Sequence, residues 1–444
     1  MKRAIERYFG LAALGTSVRT ELIAGVTTFM TMAYIIFVNP AMISATGIDF
    51  GAAMMATCLS AAFATILMGA WVNYPIALAP GMGENAFFTY TVCLGMGVPW
   101  RVALGCVFIE GLIFIALTLT KMRQALMDSI PESLRHAVAC GIGLLIAFVG
   151  LKDAGLVVAN PATLVSLGDV LSRPALLSLG GLVFTGALLA RSVRGAILWG
   201  ILAAALAGIP LGIVRYQGIV SAPPSMMPTL LQMDLRGAMQ MGLLSIVLVF
   251  LFMDVFDTVG TLAGVGELGG FIKGGKFPRV GQAMLSDAVG TCAGAALGTP
   301  VVTSFIESAS GIACGGRSGL ASVVTGLLFA AAVFFSPLIR MIGGGCEAAN
   351  GALLHPVTAP SLVIVGAMML RSVLRIDWRD YTESLPAFIV IILMPLTFSI
   401  ATAIAFGFII FAAVKLAAGR GREVPALIYV CAALFAARFV YLQR

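Results

Sequence analysis

Six carboxylic acids lie inside long apolar stretches of this sequence: Glu84, Glu110, Asp254, Asp257, Asp287 and Glu307. Lysine and arginine do not reach that depth; they sit at block edges and in loops. A carboxylate near the centre of a bilayer costs about 2.5–3.5 kcal/mol on insertion scales, so it faces a cavity or a partner. Without a cation beside it, such an acid has three outlets. It can bind a proton, accept from a substrate N–H, or accept from backbone and hydroxyl groups. Burial disfavours the ionised form, which suits reversible protonation near neutral pH.

Asp254 and Asp257 stand three apart in Phe252-Met-Asp-Val-Phe-Asp-Thr-Val-Gly260, so a helix would place them on one face. Asn85 adds an amide that can both donate and accept. Phe87, Phe88, Phe256 and Phe305 flank these groups and could cover a planar ring. A phenylalanine in a membrane helix is more often packed or lipid-facing than ring-covering. Asp287 precedes Gly290, Gly294 and Gly298, a small-residue face suited to helix contact. Asp287 therefore reads as either a helix tie or a proton-coupling acid. Glu110 reads as a packing or gating acid. Glu21, Glu267, Glu347 and Glu383 lie near block ends and read as solvated.

The elements that must hold these acids are membrane helices. The chain has 444 residues, 60% hydrophobic and 11% charged. Soluble domains carry about 25% charged residues. No polar domain is left over for a soluble enzyme with an anchor. The net charge of +7 is dispersed through short loops, which argues against nucleic acid as a partner. Eight cysteines are scattered singly and there are two histidines, so no metal or cofactor site is expected. The charged start, MKRAIERYFG, does not read as a signal peptide.

Loss of apolar run, charge and proline divide the chain into fourteen spans. Seven lie at about 20–43, 51–73, 79–94, 99–120, 134–150, 174–190 and 193–213. Seven more lie at about 239–265, 281–297, 301–315, 318–340, 355–372, 382–398 and 400–417. A weaker block at 424–442 is left unassigned. Basic residues concentrate in the segments that are inside when the N-terminus is inside. An odd number of helices per repeat inverts the second repeat. The third span opens Leu78-Ala-Pro-Gly-Met-Gly-Glu-Asn and the tenth Leu297-Gly-Thr-Pro-Val-Val-Thr-Ser. Both are short, broken by Pro and Gly, and carry an acid a few residues in. Such matched breaks in two halves mark a transporter binding site at mid-membrane. The expected fold is thus an all-α integral membrane protein of two inverted seven-helix repeats, with broken third and tenth segments.

At these residues the chain resembles the nucleobase–cation symporter 2 family, and within it the AzgA-like purine permeases. The resemblance covers nearly the whole chain. It rests on Thr20–Pro40, Ala79-Pro-Gly-Met-Gly, Asn85-Ala-Phe-Phe-Thr-Tyr90, Phe252–Thr261, Thr303-Ser-Phe-Ile-Glu-Ser-Ala-Ser-Gly311 and Gly315-Gly-Arg-Ser-Gly-Leu320. It implies a core domain of spans 1–4 (20–120) and 8–11 (239–340). It also implies a gate domain of spans 5–7 (134–213) and 12–14 (355–417). By motif it implies roles in binding and transport for Asn85, Asp254, Asp257 and Glu307. Glu84 departs from the family pattern, which commonly has an apolar residue there.

The expected activity is import of adenine, guanine or hypoxanthine with protons by alternating access, in the inner membrane. Glu307, Asn85, Asp254, Glu84, Phe87 and Phe305 would hold the base. Asp254, Asp257 and Asp287 would handle the proton. Another planar or anionic solute, sodium coupling, uncoupled transport and a homodimer stay open. An anion carrier of the same architecture would favour a deep basic residue, and an embedded hydrolase would need a base in the membrane; His136 and His355 lie at block edges.

Overall fold

The computed structural model describes residues 2–120, 131–239, 243–271, 277–347, 353–425 and most of 428–436. The unassigned block at 424–442 falls largely outside them, as do the side chains of Phe256 and Glu267. After a short N-terminal helix, Lys2–Phe9, the first half contributes α1 (Val18–Met32), α2 (Ile35–Ser44), α3 (Phe50–Leu67), α4 (Met82–Ala86) and α5 (Trp100–Leu119). It continues with α6 (Glu132–Asp153), α7 (Arg173–Ala190) and α8 (Ala196–Gly208). The second half contributes α9 (Leu244–Leu268), α10 (Val280–Leu297), α11 (Ser308–Ala313), α12 (Gly319–Ala332), α13 (Ala359–Met369), α14 (Tyr381–Thr397) and α15 (Ile400–Ala417). Each of the fourteen apolar blocks read from the sequence carries at least part of one of these helices, and the first, 20–43, carries both α1 and α2. Seven helical stretches among the described residues are long and apolar enough to cross a membrane, and α8, α14 and 402–417 are shorter apolar helices.

The chain is not purely helical. Six short strands, β1 (Leu78–Pro80), β2 (Val157–Asn160), β3 (Leu164–Leu167), β4 (Val302–Ser304), β5 (Cys346–Glu347) and β6 (Leu353–Leu354), form three two-stranded sheets. Two of these pairings, β2–β3 and β5–β6, are local hairpins in connections. The third matters for function. β1 and β4 pair antiparallel, with Leu78 opposite Ser304, Ala79 opposite Thr303 and Pro80 opposite Val302. The helices before these strands end at left-handed residues, Asn73 (φ 58°) in one half and Gly298 (φ 108°) before Pro300 in the other, and Pro80-Gly81 separates β1 from α4. The freed backbone groups then find partners in each other.

Packing partners follow a regular scheme. Helix α12 packs on α1 and α3, α10 on α3 and α5, α9 on α5 and α4, and α11 on α1. Helix α6 packs on α13 and α14, α7 on α8 and α13, and α14 on α15. The scheme is unchanged when each element of one half is exchanged for its counterpart in the other. Small residues permit the closest crossings. Side chains on Gly69 or Gly319 would overlap the other's carbonyl group, so only glycine fits where the α3 continuation crosses α12. Gly290 and Gly294 seat α10 against Ala64 and Val302, the contact surface their spacing suggested.

Candidate functional site

Each of the two strands is gripped by one threonine from the preceding helix. The Thr65 hydroxyl accepts from Leu78 N (2.9 Å) and donates to Leu78 O (2.7 Å). Thr291 does the same for Val302, at 3.1 and 3.0 Å. Outer bonds extend the pair: Gly81 N donates to Val301 O and Phe305 N to Ala77 O, both at 2.9 Å. The strands thus deliver α4 and α11, with their acids, to a common centre.

On one side of this pair lies an accessible group of acids. Asp257 is exposed and Glu307 is half-buried. Tyr34, on the α1–α2 connection, donates its hydroxyl to Glu307 Oε1 at 2.9 Å. Asp257, Glu307 and Tyr34 are close enough to interact electrostatically, and Asp257 reaches the Thr303 hydroxyl. From Val249 to Val255 every residue of α9 is buried, whereas Asp257 and Gly260 open onto free space.

Behind the strands lies a second, closed group. Asp287 accepts from Thr258 (2.6 Å) and Ser304 (3.0 Å). Asp254 takes longer contacts from Thr258 (3.4 Å) and Thr291 (3.3 Å). Thr258 also lies 3.0 Å from the Thr303 hydroxyl, which joins the two groups. Asp254, Asp287, Glu84 and Glu110 are all buried. No lysine, arginine or histidine pairs with these four among the described residues.

The expected site residues are therefore divided between these two groups and the core around them. Glu307 and Asp257 face the accessible side. Asp254 and Asp287 lie behind the strands, and Asp287 does tie α9 and β4 to α10. Glu84 folds back over Gly81, where any side chain would collide with its carboxylate; this is the reach of a third-position acid toward its helix start. Asn85 is fully buried and donates to Asn39 Oδ1 at 2.6 Å. Asn39 in turn donates to Thr57 (2.8 Å) and Thr299 (3.1 Å). Phe87 packs edge-on against Phe250, with centroids 4.8 Å apart, and Phe305 is buried. Both rings are buried in this conformation.

Two end-of-block acids depart from the solvated reading. Glu21 is fully buried, accepting from Thr16 Oγ1 (2.8 Å), Arg317 N (2.8 Å) and Ser318 N (3.3 Å). It satisfies backbone donors at the start of α12, which explains its burial. Glu383 pairs with Lys415 at 2.8 Å and accepts from Ser133. Tyr34, Asn39, Thr258 and Thr303 were not singled out from the sequence. Their only signal was position within the motifs Thr20–Pro40, Phe252–Thr261 and Thr303–Gly311.

A profile described as "Permease family" matches residues 19–406. The chain belongs to this family, the nucleobase–cation symporter 2 permeases. It is 53% identical over 441 residues to a putative permease of Methanocaldococcus jannaschii, covering 99% of each chain. It is 44% identical to the adenine permease AdeP of Escherichia coli, covering 99% of this chain and 96% of that one. It is 43% identical to the guanine/hypoxanthine permease PbuG of Bacillus subtilis, covering 99% and 100%. Among solved structures, the transmembrane domain of the cyanobacterial bicarbonate transporter BicA matches with a TM-score of 0.65 at 16% identity, over 86% of this chain and 96% of that one. The last likeness speaks to fold alone. The chain is a multi-pass membrane permease.

Proposed function

We propose that this permease imports a purine nucleobase, adenine, guanine or hypoxanthine, together with protons. The observation that carries the reading is the β1–β4 junction. It brings acids from both halves to one centre without a cation, and one pair of them, Asp257 and Glu307, is accessible. A purine presents ring N–H donors, and Glu307 is placed to accept from them while the Tyr34 hydroxyl fixes its orientation. Asn85 braces the short helix α4 through Asn39 and acts on the base through that bracing. Asp257 is the exchange point for the proton, with Asp254 and Asp287 behind it. The activities printed for AdeP and PbuG support the substrate class. The absence of a basic partner at the junction disfavours an anion, whose binding would want positive charge.

The exchange-symmetric packing supports two inverted seven-helix repeats, and with them alternating access. In this reading α1–α5 and α9–α12 form the core, and α6–α8 and α13–α15 the gate. The core rocks against the gate around the junction. Basic loops place the N-terminus inside, in the cytoplasm of an inner-membrane protein. The accessible half of α9 is then its cytoplasmic half, so this conformation faces inward. Competition for labelled adenine uptake tests the substrate class. Adenine, guanine or hypoxanthine should displace the label, and bicarbonate should not. Displacement by bicarbonate but by no purine would overturn the assignment.

A further inference from the structure

Glu110 lies at the middle of α5 and takes no part in substrate contact. It is fully buried, and neither carboxylate oxygen meets a donor. An unsatisfied buried carboxylate is too costly to persist as such. The short helix Leu235–Ala238 also packs on α5, but its Arg236 is exposed; the titratable groups that interact with Glu110 are Glu84 from α4, Asp254 from α9, and Asp287 and Cys292 from α10. None is basic. Its carboxyl is within interaction range of that of Asp254, and Asp254 is within range of Asp287, the latter two sharing the Thr258 hydroxyl. Two carboxyls hydrogen-bond to each other only when one carries a proton.

We propose that Glu110 is a proton-holding residue of this permease, sharing one proton with Asp254 across the α5–α9 contact. The path to it is built on the hydrogen bonds of Thr258 to Thr303 (3.0 Å) and to Asp287 (2.6 Å), with Asp257 interacting at the outer end and Asp254 and Glu110 at the inner end. In transfer, the Asp257 carboxyl gives its proton to the Thr303 oxygen as Thr303 gives its own to Thr258. Thr258 in the same movement gives its proton to Asp287. Each hydroxyl gains one proton as it loses one, so the net change is one proton moved from Asp257 to Asp287. The carboxyl chain beyond passes it to the Asp254–Glu110 pair. Among the described residues Thr258 is the one hydroxyl that touches Asp254, Asp287 and Thr303 together, which makes it the link.

This inference rests on the proton-symport reading, and the test separates the two. The full chain is reconstituted into liposomes as wild type, Glu110→Gln, Thr258→Val and Thr258→Ser. Adenine-driven proton entry is read with a trapped pH dye, and adenine exchange is read alongside. The protonated-carboxyl infrared band gives a third readout that a merely structural role would leave unchanged. Glu110→Gln and Thr258→Val should each cut adenine-coupled proton entry by about tenfold or more, with exchange reduced less than proton entry. Thr258→Ser, which keeps the hydroxyl, should restore it. Glu110→Gln should also remove infrared intensity. If the wild type moves no protons with adenine, the symport reading falls and this inference with it. If the wild type couples and Glu110→Gln couples with an unchanged pH profile and an unchanged infrared band, the inference alone is overturned. Should Glu110→Gln not fold, full coupling in Thr258→Val would overturn it equally.

Discussion

At the residue scale, placement of the carboxylates decides what each can do. The sequence put six acids in apolar surroundings without cations, and the structure sorts them by access. Asp257 and Glu307 meet free space, while Glu84, Glu110, Asp254 and Asp287 do not. Tyr34 is the residue whose role is legible only in three dimensions, since 273 positions separate it from Glu307. A hydrogen bond to a charged group is worth about 1.5–3 kcal/mol. Tyr34→Phe should therefore lower the apparent affinity for base by roughly tenfold or more, if the hydroxyl orients Glu307 as argued. Glu307→Gln, which exchanges an acceptor for a donor, should cost more still. Initial-rate uptake across substrate concentrations checks both. A Tyr34→Phe variant with unaltered KM would remove the hydroxyl from the binding account.

At the element scale, the broken third and tenth segments were legible from their Pro-Gly punctuation and their matched positions. Their pairing as β1 and β4 was not. Three-residue strands carry no usable periodicity, and their partner is far away in sequence. The burial of Glu21 was equally hidden, because its donors belong to a segment near residue 317. The close glycine crossing of the α3 continuation and α12 makes a stability prediction. Gly319→Val should destabilise the protein by about 1–3 kcal/mol, the range for overpacking a tight contact. Thermal unfolding in detergent measures it, and an unchanged midpoint would contradict the crossing.

A second element-scale prediction concerns the charged lattice joining α14 and α15. Arg420 pairs with Asp380 at 2.7 Å and with Glu423 at 2.8 Å, and Lys415 pairs with Glu423 at 3.0 Å. Hydrogen bonds from Arg420 and Lys415 push the Glu423 carboxyl down to about 2. Hydrogen bonds from Thr382 and Arg420 hold Asp380 well below the usual carboxylate range. A carboxyl lowered on folding stabilises above its unfolded pKa, near 4.3 for glutamate, and loses that contribution as pH falls toward its folded value. The difference in melting temperature between wild type and Glu423→Gln should hold from pH 7 to about 4.5 and shrink below it. A difference that grows on acidification would contradict the pairing.

At the scale of the whole molecule, the helices of the two halves pack in one exchange-symmetric scheme, and the proposed functional centre lies where their strands β1 and β4 pair. The helical, membrane-spanning character of the chain was legible because apolar length and charge punctuation are local properties. The relation between halves was legible only through its two breaks, since the contacts that express it all cross from one half to the other. Low charge content thus identified a membrane protein, and the location of six acids points to the centre proposed for its work. The most direct test of proton-coupled purine import is labelled adenine uptake by the reconstituted protein, with and without an imposed inward proton gradient. Accumulation above equilibrium only in the presence of the gradient, abolished by a protonophore, is the predicted result. Adenine uptake that proceeds equally without the gradient, or no purine uptake at all, would contradict it.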